Sequence, residues 1–270
     1  VTIYTESGLG KSTFCSQVKD ILLVPNVQAG LRNIKGYKYD IITHWDGYKT
    51  VLQELKNEKH SYRAVCLDTI TEMRKMAADA ICRKYNVPHE TDLPGDNNKG
   101  YTLINNEFFR LIKEFYGLGL GLYMTAHVRE EKQKTKTQEW LKAVPDLPGK
   151  SRADIIAISD IVLYGDSEEY EDDKDDNKKK TRRILHTRPN TYWVAKDRFS
   201  VLPEPIPLSY NRFMQSFIEG MKQKKLAVEH TGNAGTSNAR TNDKTENKLD
   251  NKAENKNATP GAATTASPKK

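Results

Sequence analysis

Ser7-Gly8-Leu9-Gly10-Lys11-Ser12-Thr13 stands between a short apolar run, Thr2-Ile3-Tyr4, and a segment of helical periodicity at 11–18. The architecture follows from this stretch. The two glycines let the backbone curl so that successive N–H groups point inward, and the positive N-terminal end of the following helix completes an anion cradle. A strand, a glycine turn, Gly-Lys-Ser and a helix in that order make the P-loop pattern. In it Lys11 would reach the β and γ phosphates of a nucleoside triphosphate, and the Ser12 hydroxyl would coordinate magnesium. Ser7, Gly8, Leu9, Gly10, Lys11, Ser12 and Thr13 are therefore the candidate nucleotide-binding residues. The full pattern has a glycine five residues before Gly10, and here that position is Thr5.

A magnesium shell needs a second oxygen donor. Arg63-Ala64-Val65-Cys66-Leu67-Asp68 supplies one, as a buried apolar strand ending in a carboxylate. Parallel strands present their carboxyl ends on one edge of a sheet, where ligands of open α/β sheets collect. Asp68 is thus expected to face Ser12 across the nucleotide. Glu72 follows one helical turn later, either orienting a water or serving only as an acid at a helix N-terminus. His127 closes the strand Leu122-Tyr123-Met124-Thr125-Ala126-His127 at the same edge. It either touches the γ-phosphate or merely caps the strand. The remaining histidines and the three cysteines, Cys15, Cys66 and Cys82, show no metal-ligand spacing and no disulfide framework. A reducing cytoplasm fits them best.

Outward from these motifs, short apolar runs alternate with amphipathic stretches. Strands are expected at 2–4, 21–24, 39–43, 64–67, 118–125, 161–164 and 184–187. Helices are expected at 11–18, 47–58, 70–85, 103–116, 151–159 and 208–224. This alternation predicts an α/β fold with a mostly parallel central sheet flanked by helices. Residues 129–144 are charged and alternating, as in a protruding hairpin. Residues 166–180 run from acids to lysines and read as a long surface loop.

From residue 226 to 270 the chain has no aromatic, Ile, Met or Cys, and Asn, Thr, Ala and Lys dominate. Such composition buries too little apolar surface to offset an ordering cost of roughly 1–2 kcal/mol per residue. A core at 1–225 and a low-complexity, disordered tail at 226–270 are expected. The 270 residues are 37% hydrophobic and 29% charged, with no apolar run of membrane-spanning length. A start at Val1 shows no leader peptide and suggests that a segment precedes it. The net charge of +7, from 43 Lys+Arg against 36 Asp+Glu, favours a polyanionic partner only weakly.

Further motifs carry a family resemblance. They are Cys66-Leu-Asp68-Thr-Ile, Thr125-Ala-His127-Val, Pro145-Asp-Leu-Pro-Gly-Lys150, Asp160-Ile-Val-Leu-Tyr164, Thr187-Arg-Pro189 and Ala195-Lys196-Asp-Arg198-Phe199. Together with the P-loop, this series resembles phage-encoded RecA-like ATPases, the Sak-type single-strand annealing proteins, over residues 1–224. The resemblance implies a RecA-like P-loop NTPase core, ATP with Mg2+, single-stranded DNA as partner, and a role in phage recombination, annealing or repair in a host bacterial cytoplasm. It implies a homo-oligomer, ring or filament, in which Lys196 and Arg198 reach the γ-phosphate held by a neighbouring subunit. Cations at developing phosphoryl charge accelerate transfer by about 10³–10⁵. A single-strand-binding protein is a further implied partner. Where family members carry a water-polarising Glu after the second strand, this chain has Gln28. A glutamine orients water but cannot take its proton, so slow hydrolysis and ATP as an assembly switch are expected.

A single-strand binder needs cations along the phosphate path and rings for bases. Arg129, Lys132, Lys134, Lys136 and Lys142 cluster in the expected hairpin with Trp140, and Lys150 and Arg152 follow. Glu130, Glu131 and Glu139 dilute that charge, and a solvated hairpin is the alternative. Two rival functions use the same cradle. One is a ring-type DNA motor, although no extra helicase domain is visible; the other is a nucleotide-gated adaptor with little hydrolysis.

Overall fold

The computed structural model describes residues 1–28, 31–95, 99–172 and 175–234. Its centre is a twisted sheet. Strand β1 (Thr2–Thr5) lies between β5 (Gly121–Lys134) and β7 (Ile161–Asp172), parallel to both. Beyond β5 come β4 (Ala64–Asp68), β2 (Ile21–Pro25) and the short edge strand β3 (Tyr37–Lys38), all parallel. On the far side β8 (Asp175–His186) and β10 (Ile206–Pro207) extend the sheet antiparallel, and β9 (Lys196–Asp197) pairs with the start of β7. The strand order is therefore 10-8-7-1-5-4-2-3, with β6 (Glu139–Pro145) pairing the outer half of β5. One strand separates the glycine-turn strand from the Asp68 strand.

Apolar residues on both faces of these strands require cover on both sides. Tyr4, Val24, Leu67 and Met124 point to one layer, made by α2 (Trp45–Asn57), α3 (Ile70–Tyr85), α4 (Lys99–Tyr116) and α5 (Gly149–Ile158). Their neighbours Ile3, Leu23, Cys66 and Leu163 point to the other, where α1 (Lys11–Ser16) and α6 (Tyr210–Ala234) bring Phe14 and Phe213. The period of two along each strand thus divides one core into two. All three cysteines are buried and free. Among the described residues no helix is long and apolar enough to cross a membrane.

The expected parallel α/β sheet flanked by helices is present, with four local corrections. Residues 39–43 form no strand: Tyr39 N–H bonds the Leu23 carbonyl and Ile42 N–H that of Pro25, an irregular edge at the sheet's rim. The central strand starts at Gly121 instead of 118, because Gly119 takes φ 74 and the Leu118 N–H still closes the end of α4 on Phe115.

Residues 166–172 and 175–180 are not a loop. They belong to the β7–β8 hairpin, in register from Tyr164 opposite His186 to Tyr170 opposite Lys180. The acidic run and the basic run face each other: Arg182 pairs with Glu168 at 2.8 Å and Lys179 with Glu169 at 3.3 Å. Opposite charges across a ladder stabilise the pairing that like charges would oppose. Residues 173 and 174 lie outside the described residues. Helix α6 continues to Ala234, past its expected end at 224 and into the stretch assigned to the tail. The expected tail from 235 onward lies outside the described residues.

Candidate functional site

The carboxyl ends of β1 and β4 meet the middle of β5 around a cavity of about 210 Å³. Ser7, Gly8, Gly10, Lys11, Ser12 and Thr13 line it from the turn, and Asp68 and His127 from the neighbouring strands. Gly8 at φ 81 and Gly10 at φ 121 are left-handed, which a side chain would resist. The Phe14 N–H bonds the Gly10 carbonyl at 2.9 Å, so the turn passes directly into α1. The registers Thr5 to His127 and Asp68 to Thr125 set the strand ends side by side.

Lys11 is buried, and its ammonium donates to the carbonyls of Thr5 at 3.0 Å and Glu6 at 2.9 Å. Burial lowers its pKa, and Asp68 and Glu6 oppose that shift. The Ser12 hydroxyl donates to Asp68 Oδ2 at 2.5 Å, and the Thr125 hydroxyl donates to the other carboxylate oxygen. Two hard oxygen donors this close suit Mg2+, which keeps most of its shell for waters and phosphate oxygens. His127 is half-buried, with its pKa lowered by desolvation and then by Lys11, so the neutral imidazole is favoured. Its backbone N–H bonds the Thr71 hydroxyl at 3.1 Å, and its carbonyl receives the Asp146 N–H at 2.8 Å.

Thr5, in place of the pattern's glycine, is fully buried and is accommodated by a glycine elsewhere. Gly165 lies opposite it on β7, and a Cβ there would fall 2.4 Å from Thr5 Cγ2. The missing side chain has moved one strand across. Gly165→Ala is expected to lose about 1–3 kcal/mol of stability, measured by urea denaturation. Thr5→Ser removes the clashing methyl while keeping the hydroxyl, so most of the loss should be recovered in the double variant.

Several sequence candidates lie elsewhere. Leu9 does not line the cavity; its carbonyl receives the Arg183 guanidinium at 3.2 Å. Glu72 is not in the lining either: its carboxylate takes the Lys75 ammonium at 2.6 Å, while its N–H is capped by the Thr69 hydroxyl. It is the first-turn acid of α3. Gln28 is exposed and away from the lining, and Ala29 and Gly30 of its stretch lie outside the described residues.

Lys196 sits opposite Val162, which pairs with Thr2, so it lies at the other end of β1 from the turn. The three residues from Thr2 to Thr5 alone span about 10 Å. Lys196 and Arg198 instead hold the C-terminal end of α5: Lys196 donates to the Ile156 carbonyl at 2.8 Å and Arg198 to that of Ala157 at 3.0 Å. Arg198 also pairs with Asp160 at 2.8 Å.

Strand β5 runs on from His127 into the expected hairpin. Arg129 is held by Glu131 and Asp146, Arg152 by Glu131, Lys134 by Glu139 and Lys150 by Asp154. Among the described residues no ion pair holds Lys132, Lys136 or Lys142. The Trp140 indole donates to the Thr191 carbonyl at 3.0 Å, which ties the hairpin to the segment carrying exposed Tyr192.

Val27 and Thr69 line the cavity, and Thr125 holds Asp68; none was singled out from the sequence. Thr125 was within reach, since it shares the strand that places His127. No curated protein matches the chain. The family described as AAA domain matches residues 1–199, from β1 through the Lys196 and Arg198 strand. With its glycine turn, Lys11, Ser12 and Asp68 gathered at one sheet edge, the chain belongs to the AAA domain family of P-loop ATPase-like proteins.

Proposed function

We propose that this protein is a magnesium-dependent ATPase of RecA-like, Sak type that binds single-stranded DNA as a homo-oligomer and supports phage recombination, annealing or repair. The observation that carries the DNA part is the continuity of β5. The strand that ends the cavity wall at His127 extends into a hairpin bearing Lys132, Lys136 and Lys142 without carboxylate partners, and Trp140. A change at the γ-phosphate position therefore has a direct mechanical route to a cationic arm.

Lys11 holds the β and γ phosphates, and the turn's N–H groups hold the remaining oxygens. Ser12 and Asp68 would hold a magnesium ion, which when bound would supply neutralisation of charge developing on the transferred phosphoryl group. Thr125 keeps the Asp68 carboxylate aimed at that position, and the neutral imidazole of His127 reports the terminal phosphate to the hairpin.

The test is ATP turnover with and without single-stranded DNA, together with filter binding across a salt series. Wild-type protein is expected to bind with a steep salt dependence and to hydrolyse faster with DNA. Lys132→Ala, Lys136→Ala and Lys142→Ala combined should flatten the log–log salt slope by about 0.7 per lost phosphate contact. An unchanged slope and affinity would remove the hairpin from the DNA path.

A nucleotide-gated adaptor with slow hydrolysis is the second reading. One observation favours it: among the described residues, Asp68 is the carboxylate that lines the cavity, while Glu72 is tied to Lys75 and Gln28 is exposed outside the lining. A turnover that DNA does not stimulate, beside tight ATP binding, would select this reading.

A further inference from the structure

The cavity has a direction. Lys11, Ser12, Asp68 and His127 cluster where β1 faces β5 and β4, so the terminal phosphate and its metal belong on that side. The nucleoside end of a bound triphosphate must then leave on the other side of the turn, toward β7 and β8. There the chain places a residue that no P-loop pattern predicts. Arg183 reaches in from β8, and its Nη1 donates to the Leu9 carbonyl at 3.2 Å. A Cβ on Gly10 would lie 3.7 Å from that nitrogen and 3.5 Å from Leu208 Cδ2. The Leu208 N–H bonds the Arg183 carbonyl at 2.9 Å, and both side chains reach the same glycine of the turn.

The neighbouring cation is differently employed. Arg182 pairs with Glu168 at 2.8 Å and lies over the Tyr170 ring. Arg183, exposed, has no carboxylate partner among the described residues, and its bond to Leu9 occupies one nitrogen of a plane whose faces remain available. A guanidinium plane beside an apolar side chain suits a flat, uncharged heterocycle, because arginine stacks on π systems where an ammonium does not.

We propose that Arg183, backed by Leu208, forms the nucleoside subsite, with its guanidinium stacking on the base of the bound nucleoside triphosphate. This rests on the reading of the cavity as a triphosphate site. Arg183 therefore discriminates a nucleotide from bare polyphosphate, whereas Lys11 and the turn do not.

The experiment is calorimetric titration of the full chain, with magnesium, against ATP, ADP and inorganic tripolyphosphate. Wild-type protein should bind all three. Arg183→Ala should weaken ATP and ADP by about tenfold and leave tripolyphosphate unchanged, which also shows the cradle to be intact. Arg183→Lys keeps the charge and loses the plane, so it should behave like Arg183→Ala. Equal weakening of all three ligands would make Arg183 a brace for the turn and overturn the proposal. So would unchanged affinities, or full recovery in Arg183→Lys. Wild-type protein that binds tripolyphosphate and ATP equally well would remove the nucleoside subsite but leave the cradle, whereas wild-type protein that binds none of the three would remove both.

Discussion

Lys11→Ala is expected to abolish measurable ATP binding and to lower turnover by a factor on the order of 10³ or more. The reason is where the ammonium sits. It is buried against the carbonyls of Thr5 and Glu6, close enough to Asp68 for that carboxylate to oppose the lowering of its pKa. A phosphate entering the cavity meets a charge that is already desolvated and positioned, so little reorganisation is needed. In the variant the same phosphate would face two backbone carbonyls and the Asp68 carboxylate, all of them repulsive. The fold should survive, because Lys11 opens α1 and belongs to neither apolar layer. Unchanged nucleotide affinity by calorimetry, with an unchanged circular dichroism spectrum, would defeat the cradle itself.

The second large effect is expected at the opposite end of the sheet. Lys196→Ala with Arg198→Ala should lower turnover of the proposed homo-oligomer by about 10³-fold or more, while an isolated subunit keeps its ATP affinity. In cis these cations cannot meet the phosphates: β9 pairs with the start of β7, and the glycine turn follows the end of β1. If they act on a nucleotide, they act on a neighbour's. Their resting bonds to the carbonyls ending α5 are favourable but replaceable, as cations at a helix C-terminus contribute about 0.3–1 kcal/mol each. The decisive measurement is a mixture of Lys11→Ala subunits with Lys196→Ala/Arg198→Ala subunits. Some interfaces in the mixture combine an intact cradle with intact cations, so activity should reappear. Wild-type hydrolysis by the double variant alone would leave Lys196 and Arg198 as caps of α5.

Much of the fold was legible because it depends on local periodicity. The apolar runs at 2–4, 21–24 and 64–67 became β1, β2 and β4 almost residue for residue, as a strand buried on both faces reads as a continuous apolar stretch. The misses have a common cause. Residues 166–180 look like a loop when their acids are read one after another, and become a hairpin only when Glu168 and Glu169 meet Arg182 and Lys179 across the ladder. Glu72 had two readings one turn beyond Asp68, orienting a water or serving as a helix-start acid, and the first turn of α3 sets its carboxylate against Lys75.

Local sequence specifies that a glycine turn with Lys11 and Ser12 joins a strand to a helix and that Asp68 ends a further strand, whereas His127, read as the close of another, lies in the middle of β5. Those are properties of adjacent residues, carried by backbone freedom and side-chain period. Long-range packing alone sets β5 between β1 and β4, makes room for Thr5 at Gly165, brings Arg183 to Leu9, and leaves Lys196 and Arg198 remote from their own cavity. Each of these pairs residues from separate strands. Strand order and register, which no local pattern encodes, settle which side chains meet.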